Sequence, residues 1–306
     1  MTADPAAALS NALVASYRWA VECVAAAEGD IRAAAVRLAD RWERGGRCIY
    51  LGAGAAGLIA AEDAAELPGT FGLDRRRIPV ILAGVDGAHF NLDLDALAED
   101  DTQAAERAVA ALGDLKSDTV IAVSASGSTP FTLAGARAAR RAGALVIAIA
   151  NRRNAPLLSE VDIPLLLDTG DEALRGSTRL AAGAAQKCAL GMLSTLAGLA
   201  LGHIHAGLMV NLRADNDKLQ SRALGIVTSI AGVAENAARA ALAATGGEVK
   251  PAVLLSAGAR DFGDAVNRLQ HSRGRLAEAL DTLREELGRS AADEPRRTPR
   301  KRGEKR

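Results

Sequence analysis

The spacing of hydrophobic positions changes character several times along the chain, and each change marks an element. Residues 8–44 carry alanine-rich apolar positions with acidic and basic residues interspersed and stop at Gly45-Gly46, which predicts a helical N-terminal segment. The short apolar run Arg47 to Leu51 then ends in the glycine turn Gly52 to Gly57, and a helical pattern follows from about Leu58 to Leu67. Ile78 to Ala83 predicts a second strand and Ala96 to Leu112 a helix. The third unit is the clearest: Asp118 to Val123 is a strand run, Ser124 to Pro130 a hydroxyl-rich loop, and Phe131 to Ala142 a helix. Ala144 to Ala150, Ala155 to Glu160 and Asp162 to Leu167 continue as strand, short helix and strand. The strand runs are almost wholly apolar rather than alternating, so helices must cover both faces; this predicts an α/β fold with a doubly wound parallel sheet.

Beyond the sheet, Ser177 to about Gly202 reads as one long, mostly apolar helix, and a second begins near Ala214. The uncharged stretch Cys188 to Leu212 is long enough to span a bilayer, but it holds His203, His205, several glycines, Ser194 and Thr195 and reads as a buried helix. Residues 221–287 are helical apart from Gly246-Gly247 and a predicted short strand at Ala252 to Leu255. The resulting division is a helical segment over 1–45, a sheet domain over 46–220, a small C-terminal helical module over 221–288 and a basic tail over 289–306. The tail has eight basic and three acidic side chains and no large apolar residue, so it cannot bury enough surface to fold and is expected to be disordered.

Composition narrows the function classes. At 306 residues, 49% hydrophobic and 24% charged, the chain is that of an ordinary globular protein. Lysine plus arginine (37) equals aspartate plus glutamate (37), so no global positive field exists to hold nucleic acid or anionic lipid. Aromatics at 3% argue against a base-stacking surface. Cys23, Cys48 and Cys188 are too scattered for a disulfide framework or a zinc site and fit a reducing cytoplasm. The N-terminus carries Asp4 early, with no basic leader and no long apolar core, and does not read as a signal peptide. The expectation is a cytoplasmic protein with no membrane span and no specific nucleic-acid partner.

In an open parallel sheet, ligands bind where strand ends run into helix N-termini, whose free amides attract anions. Two loops have that form. Gly52 to Gly57 partly matches a dinucleotide fingerprint, but Ala83 to Asp86 stands where the acidic residue after the next strand is expected; a bare tight turn and a ligand loop around Gly54 both remain open. The second loop places Ser124, Ser126, Ser128 and Thr129 around Gly127 at the mouth of a helix. Helix capping would use one hydroxyl; four, together with backbone amides, suit a phosphate cradle that requires no metal. Ser177, Thr178 and Arg179 after Gly176 admit either capping or sugar contact. His203 and His205 have an HxH spacing without companion ligands and read as structural or interfacial. Gln186 and Lys187 within the apolar helix are candidates to bridge to a partner subunit, and His89 to line the site.

The SxSGxT pattern of this loop resembles the sugar isomerase (SIS) domain family, which binds phosphosugars. With LGAGAAG, DAAELPGTFG, AEDD, SASGSTP and the block from GSTRLAAGAAQKCALGMLST to GLMVNLRADNDKL, roughly residues 45–225 resemble the N-acetylmuramic acid 6-phosphate etherase family in order and spacing. The resemblance implies a cytoplasmic lyase of amino-sugar and cell-wall recycling, without metal or organic cofactor, working as a homodimer with its site near the interface. It implies that the sugar opens to its aldehyde, C2 loses a proton, the D-lactyl ether leaves C3 and water adds back. Such an elimination needs a base at C2 and an acid at the ether oxygen. By resemblance Glu66 is the acid and Glu99 the C2 base; Gly54, Ser124, Ser126, Gly127, Ser128, Thr129, Ser177 and Thr178 bind substrate. On residue type alone, Glu66 is an ordinary salt-bridging glutamate, and Glu99 to Asp101 are acids favouring a helix N-terminus through its dipole.

Departures from the family pattern lie at the same loops. Ala55, Ala56 and Leu58 replace threonine, serine and arginine; Ser128 replaces an arginine, Ala181 a lysine and Asn211 an aspartate. Lost charge-assisted hydrogen bonds weaken recognition of an anionic sugar. A phosphosugar-sensing protein without turnover and a phosphosugar isomerase are the alternatives.

Overall fold

The computed structural model describes residues 4–85, 96–212 and 217–293. Asp86 and His89, and residues 294–306 of the tail, lie outside the described residues. The chain divides into two compact units, Met1–Leu201 and Gly202–Arg306.

The first unit opens with α1 (Pro5–Ala26) and α2 (Glu28–Glu43), where the sequence pattern suggested unbroken helix; the break is at Ala27, whose amide turns back to Cys23 and Val24 carbonyls. Glu28 and Asp30 then favour a new helix start. There follow β1 (Cys48–Gly52), α3 (Gly54–Phe71), β2 (Val80–Leu82), α4 (Thr102–Ala111), β3 (Thr119–Val123), α5 (Pro130–Arg141), β4 (Leu145–Ala150), α6 (Pro156–Ser159), β5 (Ile163–Leu166) and α7 (Ala181–Ala200). The five strands are parallel in the order β2-β1-β3-β4-β5, and the predicted doubly wound α/β sheet is the one observed.

Alternation along the strands sorts side chains between two helical layers. Ile49, Leu51, Val120, Ala122, Val146 and Ala148 meet Ala105 and Val109 of α4 and Phe131, Ala134 and Ala139 of α5. Tyr50, one residue out of phase, faces α3. There α3 and α7 pack together, with α1 and α2 against α7. Each Leu, Ile or Phe buried this way stabilises the fold by about 1.5–3 kcal/mol. At the feet of β1 and β3, Arg47 ties the sheet together: its Nε and Nη2 donate to Asp118 Oδ2 at 2.9 and 2.6 Å, and Nη2 also donates to the carbonyls of Leu112 and Asp114.

The second unit holds the antiparallel pair β6 (Ile204–His205) and β7 (Leu208–Met209) and the helices α8 (Asp217–Ala231), α9 (Glu235–Ala244), α10 (Val249–Ser256), α11 (Phe262–His271) and α12 (Leu276–Asp293). Its core joins Val227, Ala238, Val253, Ala265 and Leu280. The short strand expected at Ala252 to Leu255 is instead the middle of α10. A four-residue apolar run fits either element, and here burial among helices on several sides decides it; Pro251 is tolerated because it lies in the first turn. Among the described residues, no helix is long and apolar enough to cross a membrane.

Candidate active site

β1 and β3 lie side by side with Gly52 in register with Val123, so the glycine turn and the serine loop leave the sheet as neighbours. The strand order reverses here, and the crevice at such a switch point is where open parallel sheets take ligands. α3 and α5 both begin at this crevice with their positive ends toward it. Neither is satisfied by its own cap residue: Ala53 and Thr129 make no side-chain cap hydrogen bond.

The hydroxyls of the second loop shape the loop itself rather than cap α5. Ser124, buried, accepts the Gly127 N–H at 3.1 Å, and its Oγ lies 2.9 Å from Thr129 Oγ1. Ser126 Oγ accepts from both the N–H and the hydroxyl of Ser128 at 3.1 Å. Gly127 has φ +66°, and a Cβ there would overlap Ala155, so only glycine makes this turn. Ser126 and Ser128 stand exposed at the rim above the α5 N-terminus. The loop thus sets hydroxyls and backbone amides at the mouth of α5.

Two acids of the AEDD stretch have separate fates. Asp101 caps α4, its Oδ1 accepting the Ala104 N–H at 2.8 Å. Glu99, in the 3-10 turn Ala96–Asp100, instead lies over the start of α3. A Cβ added to Gly54 would overlap Glu99 Oε1 and stand 3.2 Å from its Cδ. Gly54, at φ +52°, is thus glycine both for its backbone and for the carboxylate above it. The fold brings Gly54, Glu99 and the Ser124 to Thr129 loop together.

Ser177 and Thr178 are not caps. α7 begins at Ala181, and Glu172 caps it, its two carboxylate oxygens accepting the Ala181 and Ala182 N–H groups at 2.9 Å each. Ser177 is half-buried and Thr178 exposed in the turn that precedes α7. That turn is on the crevice side, since Gly183 in the first turn of α7 packs against Ile59 near the start of α3. Glu172 has no local sequence signal, because it reaches its helix from nine residues away.

Glu66 is not brought to this crevice. It lies 12 residues along α3 from Gly54, about 18 Å at 1.5 Å per residue. Its side chain is 65% exposed and 3.8 Å from Lys187 Nζ, which lies 3.0 Å from Glu62. Burial works against the Lys187 ammonium, but Glu62, with Glu66 and Asp63 behind it, outweighs burial and raises its pKa. Between these charges and the sheet, Asp63 is buried, accepting from Tyr50 Oη at 2.7 Å and Ser194 Oγ at 3.2 Å. Burial raises the Asp63 carboxyl above its usual range despite these hydrogen bonds, and pushes the Tyr50 hydroxyl well up.

Gln186 and Lys187, expected to bridge to a partner subunit, also make contacts within the chain. Gln186 is buried and donates to Asn151 Oδ1 at 2.8 Å, while Lys187 pairs with α3. In the second unit, burial with Lys250 nearby pushes His203 down to about 4, which keeps it neutral. Among the described residues, no group of three or more His, Cys, Asp or Glu side chains is placed to hold a metal.

A family model described as SIS domain matches residues 15–151, which span α1 to the end of β4 and contain both crevice loops. The class is therefore that of SIS-domain proteins. A protein of Deinococcus radiodurans named N-acetylmuramic acid 6-phosphate etherase is 42% identical over 285 residues, 93% of this chain and 92% of the relative. One of the same name from Streptomyces avermitilis is 41% identical over 257 residues, 84% of this chain and 82% of the relative. The chain belongs to the N-acetylmuramic acid 6-phosphate etherase family. Among solved structures, a phosphoheptose isomerase from Francisella tularensis is similar to 64% of this chain over 98% of its own, with 20% identity and a TM-score of 0.47.

Proposed function

We propose that this chain is a carbon-oxygen lyase that cleaves the D-lactyl ether of N-acetylmuramic acid 6-phosphate, yielding N-acetylglucosamine 6-phosphate and D-lactate. The observation that carries this reading is the 42% identity to a named etherase over 93% of the chain. The crevice supports it chemically. The sugar phosphate rests on the Ser124 to Thr129 loop at the α5 N-terminus, with Ser177 and Thr178 toward the sugar. Glu99, at Gly54, takes the C2 proton of the open-chain aldehyde. The C3–O bond then breaks, Glu66 gives its proton to the departing lactate oxygen, and the same carboxylate activates the water that adds to C3.

The separation along α3 supports a two-chain site. Base and acid act on adjacent carbons, and about 18 Å of helix between Gly54 and Glu66 prevents one chain from presenting both to one sugar. The enzyme is a homodimer in which one copy's Glu66 completes the crevice holding the other copy's Glu99. It works in the cytoplasm, where its free thiols stay reduced, in the recycling of cell-wall sugars.

A coupled D-lactate assay with N-acetylmuramic acid 6-phosphate tests the reaction: release of lactate is expected, and ketose formation or binding without turnover refutes it. The shared site is tested by mixing Glu66→Gln with Glu99→Gln after dissociation. Heterodimers retain one intact site, so random pairing restores about a quarter of parental activity, and no recovery rejects the two-chain arrangement.

A further inference from the structure

Two buried amides that the proposed reaction does not use, Asn151 and Gln186, stand where the elements of the crevice meet. Asn151 follows directly on β4. Its backbone N–H donates to the Ala125 carbonyl in the serine loop at 2.9 Å, and its Nδ2 donates to the Leu167 carbonyl just past β5 at 3.1 Å. The second bond fixes which way the amide lies and leaves Oδ1 to accept from Gln186 Nε2 of α7 at 2.8 Å. Gln186 lies about one helical turn from Gly183, whose N–H donates to the Thr178 carbonyl at 3.1 Å. A continuous path therefore runs from the serine loop through Asn151 and Gln186 to the turn that carries Ser177 and Thr178. The Ser194 and Lys187 side chains of α7 reach α3 instead.

Stability does not account for the pair. Gln186 Oε1 is buried with no hydrogen-bond partner among the described residues. An unsatisfied buried acceptor destabilises the fold, and an apolar side chain of similar length would avoid it. What the amide supplies and an apolar chain does not is a directed bond of fixed length between the strand ends and α7.

We propose that Asn151 and Gln186 are positioning residues that set the spacing between the serine loop and the Ser177–Thr178 turn, and so fit the crevice to a sugar phosphate held at both ends. This rests on the reading of that loop as the phosphate site and of that turn as a sugar contact. A ligand that touches only the loop does not sense the spacing; one that spans loop and turn does.

The test uses the parent protein, Gln186→Met and the double variant Asn151→Leu with Gln186→Met. It measures Tm, KM and kcat for D-lactate release, and competitive inhibition by inorganic phosphate and by N-acetylglucosamine 6-phosphate. Gln186→Met leaves Asn151 Oδ1 without its donor and lowers Tm; the double variant removes both partners and recovers it. In both variants KM and the Ki of N-acetylglucosamine 6-phosphate rise about tenfold, while kcat and the Ki of inorganic phosphate change less than about twofold. A purely structural role gives other patterns: KM recovers with Tm in the double variant, or the two inhibitors weaken alike. Either result overturns the proposal, as does an unchanged KM in both variants. If the parent releases lactate but inorganic phosphate does not compete with its substrate, the reading of the serine loop falls instead. If the parent releases no lactate, the proposed reaction falls, and dissociation constants for the same two ligands carry the comparison.

Discussion

Gly54→Ala separates what the crevice needs for folding from what it needs for chemistry. At φ +52° an alanine occupies the left-handed region at a cost of about 1–2 kcal/mol. In a unit of this size that lowers Tm by about 2–8 °C, so the protein remains folded. The new methyl would also overlap Glu99 Oε1, inside the 3.0 Å that real Cβ atoms keep. Because the clash is with the end of a flexible side chain, the carboxylate swings away rather than the helix moving, by about 1 Å, and a displacement of that size costs about 100-fold in rate. The expected outcome is a modest drop in Tm with kcat/KM for D-lactate release lowered about 100-fold. A cycle isolates the cause. In a Glu99→Gln background the same alanine costs little further activity, since the group it displaces is already disabled. Parental activity in Gly54→Ala, or a full 100-fold loss on top of Glu99→Gln, would refute the assignment of Glu99 to this position.

Other outcomes follow from the same coordinates. Arg47→Met strips the buried Asp118 of its guanidinium partner and is expected to cost about 3 kcal/mol in urea unfolding, with Asp118→Asn recovering part of the loss in the double variant. Ser124→Ala removes the hydroxyl shared by the Gly127 N–H and Thr129 Oγ1 but leaves that N–H its bond to the Ser124 carbonyl, costing about 1 kcal/mol, and is expected to raise KM for the sugar phosphate more than it lowers kcat. Burial lowers Lys250 from its ordinary 10.5 to about 8. The unfolded chain then binds more protons between those values, so thermal stability of the second unit rises from pH 8 to 10.5 and is lost as pH falls through 8; Lys250→Met flattens that slope, and an unchanged slope refutes the assignment.

Much of the first unit was legible because local physics and tertiary need agree there. Uninterrupted apolar runs such as Leu145–Ala150 have no polar face, so they demand cover on both sides, and Pro130 and Gly127 mark where strand becomes helix. The hydroxyl loop was legible for the same reason, since all its residues lie within six positions of one another. Agreement failed at Ala252 to Leu255, where a short apolar run carries no period and the packing of α10 among helices chose its form. It failed also at the start of α7, where the cap comes from Glu172 rather than from the neighbouring Ser177 and Thr178.

By itself the sequence determined the strands, the glycine and serine turns and the residue types able to move a proton or hold a phosphate, because these depend on near neighbours. Only the tertiary structure decided which acids meet. Asp101 went to a helix cap and Glu99, two residues earlier, to the glycine crevice, because a 3-10 turn rotates successive side chains apart. Glu66 was carried along α3 to the lysine of α7, away from the crevice where that helix begins. A helix advances 1.5 Å per residue whatever the chemistry of its side chains, so closeness in sequence does not become closeness in space.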